Sequence, residues 1–211
     1  MLTRRHFLST AAASAAFLPY AARAATPLNV VSTTGMITDT VRRIGGDAIN
    51  LTGLLGAGID PHSYRQTRSD IVAMTRADLV FWHGLFLEAQ MEDFLLRLGE
   101  KKSVVAVTDK MEAAAKDGAL DLIGSEDYEG RYDPHIWMDP DLWQPVATRI
   151  QDALTEARPD QADLFAANTN AFNADLVALR SYGTDALAQV PAENRVLVTA
   201  HDAFAYFGRA F

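Results

Sequence analysis

The 211-residue chain contains no cysteine. That excludes disulfides and thiolate metal sites alike, so any ion it holds must be bound by imidazole nitrogen and oxygen. No stretch approaches the ~20 consecutive apolar residues that a membrane-spanning helix needs. Histidine is scarce, with five in all, and positive charge is in the minority: 19 Lys and Arg against 27 Asp and Glu, a formal net of −8. Such a surface repels nucleic acid and anionic membrane and favours cations at long range. What is present is ordinary globular material, 49% hydrophobic and 22% charged, enough for a sizeable core. The length fits one domain or one and a half.

Residues 1–24 read as a signal peptide. A charged start is followed by a short Ala-rich run and the small-x-small site Ala22-Arg23-Ala24. Thr3-Arg4-Arg5-His6-Phe7-Leu8 resembles the twin-arginine export signal, so the expected location is periplasmic. Cleavage after Ala24 removes Arg4, Arg5 and Arg23 and no acid, leaving 16 basic residues against 27 acidic, a net of −11.

Beyond the leader, short apolar runs at 28–33, 49–55, 79–82 and 103–108 predict strands, and helical spacing at 36–44 and 88–98 predicts helices between them. Thr67 with Asp70 resembles a capping box. This alternation indicates βαβ units and a parallel sheet, an α/β fold. Residues 117–131, with five acids and no apolar period, read as a loop. Asp139-Pro140 supplies an N-cap and a proline suited to a first helical turn, and Leu142, Val146, Ile150 and Leu154 follow on one face. A single helical pattern then runs from 160 to about 189, long enough at ~45 Å to connect two lobes; Gly183 marks a possible bend. Residues 195–199 read as a fresh strand close to the last residue. The expected organisation is an N-terminal α/β lobe at 25–158, a linking helix at 159–189 and the start of a truncated C-terminal lobe at 190–211.

Three of the five histidines recur in similar settings: Asp60-Pro61-His62, Asp133-Pro134-His135 and Thr199-Ala200-His201-Asp202. Proline fixes its own φ and holds the preceding Asp extended, so Asp-Pro-His is a stiff presenter of one imidazole. Each lies at a strand end or before a helix, where open α/β sheets bind ligands. Asp60, Asp133 and Asp202 stand close enough to orient the rings. A lone histidine is more often structural, but the repeated tripeptide favours a common metal centre. His6 falls in the leader. His83 follows a strand and is open to three readings: ligand, support for a ligand, or partly exposed residue. Trp82, Trp137, Trp143 and Phe81 read as core.

From Leu28 onward the chain resembles the zinc/manganese (TroA-like) class of periplasmic substrate-binding proteins that serve bacterial ABC transporters. The resemblance rests on Asp60-Pro61-His62, Ala77-Asp78-Leu79-Val80-Phe81, Gly84-Leu85 with Leu87-Glu88, the run from Asp133 to Pro140, and Thr199-Ala200-His201-Asp202-Ala203-Phe204. It implies two α/β lobes joined by one long helix, with a divalent ion between them. His62, His135 and His201 match the family's ligands. It also implies capture of Mn2+ or Zn2+ (Fe2+ being a further candidate) by a monomer, and delivery to a membrane permease. The sequence departs from the pattern in three places. The family's fourth ligand, an Asp or Glu, is expected beyond Phe211. The histidine-rich loop of zinc-specialised members is here the acidic 117–131, which tilts the expectation toward manganese or mixed use. And His83 stands where relatives carry asparagine. The rival readings are a secreted zinc hydrolase with a three-histidine site and a metal-binding adhesin.

Overall fold

The structure, a computed structural model, describes residues 26–126 and 128–211; the leader and its twin-arginine motif lie outside the described residues. Four strands, β1 (Leu28–Ser32), β2 (Ile49–Gly53), β3 (Leu79–Trp82) and β4 (Ser103–Ala106), form one parallel sheet in the order β2-β1-β3-β4. The helices are α1 (Gly35–Gly45), α2 (Arg68–Arg76), α3 (Glu92–Gly99), α4 (Asp109–Lys116), α5 (Pro140–Ala157), α6 (Ala162–Ala188) and α7 (Ala205–Ala210). The α/β class and the parallel sheet are therefore as the pattern implies.

Strand periodicity divides the core. Val30, Leu79 and Phe81 face a large cluster with Ile37, Val41 and Ile44 of α1, Val146 and Ile150 of α5, and Phe165 and Phe172 of α6. Their neighbours Val31, Val80 and Trp82 face the other side, against Met74 of α2 and Leu95 of α3. Burial on both faces is what makes these strands read as unbroken apolar runs. Trp143 is buried too, and its indole N–H donates to Thr40 Oγ1 at 3.0 Å; Trp137 is partly buried against the same cluster.

The punctuation behaves as its chemistry requires. Thr67 and Asp70 form a reciprocal capping box at α2. Asp139 caps α5 by accepting the Asp141 N–H, with Pro140 in the first turn. The long helix α6 has 27 residues, ~40 Å at 1.5 Å per residue. It runs through Gly183 without interruption: the ring of Phe211 sits where a side chain at 183 would be, 2.6 Å from the place of a Cβ. That glycine provides a close approach for the residue that ends α7.

Two expectations fail, and one helix goes unannounced. Residues 195–199 form no strand; Val196 and Val198 are 77% and 89% exposed, because a strand needs a ladder partner and none stands beside this segment among the described residues. Residues 88–91 are turns, so the helix that follows starts at Glu92. Helix α4 was not expected at all; Met111 is its single buried side chain, too few for a readable apolar stripe. No described helix is long and apolar enough to cross a membrane.

Candidate metal centre

One of the candidate residues, His62, lies in a loop that leaves the carboxyl end of a strand, where parallel sheets place ligands. His62 lies in the β2–α2 connection, and His135 precedes the one-turn 3₁₀ segment Ile136–Met138 that leads to the cap of α5. His201 lies in the segment between α6 and α7. Residues 73 and 66 positions apart in sequence come together: Nε2 of His135 is 3.3 Å from Nε2 of His62 and 3.3 Å from Nε2 of His201. The three donor atoms lie within 4.8 Å of one another, with His62 half-buried, His135 buried and His201 exposed.

Both Asp-Pro-His tripeptides use one device. The Asp carboxylate accepts the backbone N–H of the histidine two residues on, at 2.9 Å for Asp60 with His62 and 2.9 Å for Asp133 with His135. Asp60 also accepts the Ser63 hydroxyl at 2.7 Å, and that bond holds its carboxyl below the usual range. Asp133 goes further, since its Oδ1 lies 2.6 Å from Nδ1 of His135. A carboxylate there accepts the hydrogen bond from Nδ1–H, which keeps the proton on Nδ1 and leaves Nε2 with its lone pair near the other two rings.

His83 is fully buried, and it is not part of the cluster. Its Nε2 lies 2.7 Å from the carbonyl oxygen of Pro134, which can only accept, so Nε2 carries the proton. The ring stacks on Trp143 and meets Trp137 edge-on, and burial drives its pKa down to about 3. The geometry thus sets the ring against the loop that carries His135, away from the three clustered donors.

Glu88, which the sequence reading placed at a helix start, is fully buried as well. Its Oε1 accepts the Thr33 hydroxyl at 2.6 Å and the His83 backbone N–H at 2.8 Å, and burial pushes its pKa up to about 7. Around it the chain turns left-handed three times running, at Gly84 (φ 87°), Leu85 (φ 49°) and Phe86 (φ 65°). Glycine is required at 84, where a Cβ would meet Thr108 Oγ1 at 2.5 Å. The two side chains that follow are held in a sparsely populated region, a strain that tends to gather at functional sites. Nothing in residue type or spacing announces such a turn.

The sequence pattern of the family described as "Zinc-uptake complex component A periplasmic" (ZnuA) matches residues 30–211. The chain belongs to the ZnuA family. Among its relatives, the manganese-binding lipoprotein MntA of Bacillus subtilis is 38% identical over 185 residues, 87% of this chain and 58% of that protein. The zinc-binding protein TroA of Treponema pallidum is 37% identical over 182 residues, 86% of this chain and 56% of that protein. The solved structure of that TroA superposes with a TM-score of 0.81 at 35% identity, covering 88% of this chain and 64% of that one. Fe(III)-bound YtgA of Chlamydia trachomatis superposes with a TM-score of 0.75 at 33% identity, covering 85% and 61%. This ZnuA-family chain thus spans a little under three fifths of the curated relatives it matches.

Proposed function

We propose that the protein captures a divalent metal ion outside the cytoplasm, with His62, His135 and His201 as ligands, and passes it to an ABC permease. The observation that carries this reading is the convergence of three Nε2 atoms from three distant stretches, one of them oriented by a buried carboxylate. One chain supplies all three donors, which supports a monomeric carrier. Relatives bearing the names of manganese-binding and zinc-binding proteins, and one solved with Fe(III), support a metal cargo. The family's description as an uptake component supports binding in place of catalysis and a site on the periplasmic side. Several relatives are lipoproteins, which supports a place outside the cytoplasm, and the arginine pair of the leader supports export by the twin-arginine route.

We assign residues 25–158 to an N-terminal lobe, α6 to the link, and 190–211 to the beginning of a second lobe that brings a fourth ligand. The 3.3 Å separations suit zinc, since two Zn–N bonds of 2.0–2.1 Å at a tetrahedral angle set the nitrogens about 3.3–3.4 Å apart. A larger ion with longer bonds reaches the same separation at a smaller angle, so the spacing admits manganese too, and zinc wins in most nitrogen/oxygen sites at equal access. Competition titration with Zn2+ and Mn2+ tests the reading. The wild-type protein should bind both and His135→Ala should lose most of the affinity; an unchanged titration of that variant overturns it.

A further inference from the structure

Two buried polar side chains near the centre touch neither the proposed ion nor each other's side chain. Glu88 grips the backbone at the end of β3 through the His83 N–H, and is itself held by Thr33 at the end of β1. His83 then reaches across to the Pro134 carbonyl, one residue before His135. Its own carbonyl accepts the Thr108 hydroxyl at 2.7 Å and the Thr108 N–H at 3.2 Å, fixing it to the end of β4. The ring has no freedom between Trp137 and Trp143. A single line of bonds therefore runs from the sheet to the loop that presents the central imidazole.

We propose that His83 is a positioning residue for the metal centre: with its backbone held by Glu88 and Thr108, its Nε2–H fixes the Pro134 carbonyl and so sets the direction of His135 Nε2 before the ion arrives. The inference rests on the three-histidine reading above. Proline at 134 has no N–H of its own, and its neighbours' groups are already engaged: the Asp133 N–H bonds the Ile123 carbonyl and the His135 N–H bonds Asp133. The carbonyl at 134 also accepts the Ile136 N–H at 2.8 Å within its own turn; the His83 bond is what ties it to the sheet, and a short hydrogen bond in a dry site does so with little slack. Groups that stand behind a ligand commonly govern affinity by ten- to a hundredfold.

The test uses Co2+ as the probe in the full chain. His83→Phe keeps an aromatic ring against the two tryptophans and removes the donor; His83→Gln places an amide N–H where Nε2–H stood. His83→Phe should bind Co2+ about ten- to a hundredfold more weakly, with a shifted visible d–d spectrum at saturation, and His83→Gln should recover both. Wild-type affinity and spectrum in His83→Phe would overturn the proposal. If that variant does not fold, the ring nitrogens of wild-type His83, read by 1H–15N NMR, decide: protonation at Nε2 is required, and protonation at Nδ1 overturns it. Failure of the underlying site would look different, since His135→Ala would then bind Co2+ like wild type.

Discussion

The hydroxyl of Tyr206 donates to the carbonyl of Asp133 at 3.1 Å and accepts the N–H of Ile123 at 3.1 Å. The side chain is fully buried. It binds α7, which follows His201 by four residues, to the loop that holds His135 and to the acidic segment beside it. Tyr206→Phe keeps the ring and strands both partners, so it should cost about 1–3 kcal/mol of stability. Urea unfolding of the metal-free protein measures this; a variant as stable as wild type would show that solvent replaces the hydroxyl.

Asp133→Ala removes the acceptor for both the backbone and Nδ1 protons of His135. The imidazole is then free to carry its proton on either nitrogen. Metal affinity should fall about ten- to a hundredfold, while Asp60→Ala, which loses only the backbone and Ser63 bonds, should fall less. Calorimetric titration of both variants checks the order; equal losses would count against the tautomer argument.

Three imidazoles must each offer a lone pair, and a histidine in water titrates near 6.5. Protons therefore compete with the ion below that pH. Affinity measured with a buffered metal series should drop by roughly a hundredfold or more between pH 7.5 and 5.5. A flat profile would exclude three neutral imidazole ligands.

His83 and Glu88 should leave opposite marks on stability. Folded, His83 stays neutral to about pH 3, whereas unfolded it takes a proton near 6.5; stability is lost as pH falls through that interval. Folded, Glu88 keeps its proton to about pH 7, whereas unfolded it loses it near 4.5; stability is lost as pH rises. Between 4.5 and 6.5 the slopes oppose, each ~1.4 kcal/mol per pH unit at most. Glu88→Gln should expose the first slope and His83→Asn the second, in urea titrations with chelator present. Slopes of the same sign in the two variants would refute the assignment.

The legible parts of the fold are those written in local chemistry. The Thr67–Asp70 box and the Asp139-Pro140 start depend on neighbours in sequence, and the paired residues Val30 and Val31 each face an apolar layer. The Asp-Pro-His tripeptide was legible for the same reason: its Asp bonds a backbone group two residues away. Other features depend on what lies across space. Val196 to Val198 have strand chemistry and no neighbouring strand among the described residues. His83 and Glu88 have no period, and their roles are set by Pro134 and Thr33, 51 and 55 residues away.

The separations of 73 and 66 residues between the donors also bear on how the chain holds together. An ion joined to all three imidazoles ties two loops of that size, and closing such a loop in an unfolded chain costs about 4 kcal/mol in entropy. Folding has already met that cost, so a folded form would take such an ion far more readily than any unfolded one, and the ion-bound form would resist unfolding in proportion. In a chain without a single cysteine, an ion held there would be the cross-link.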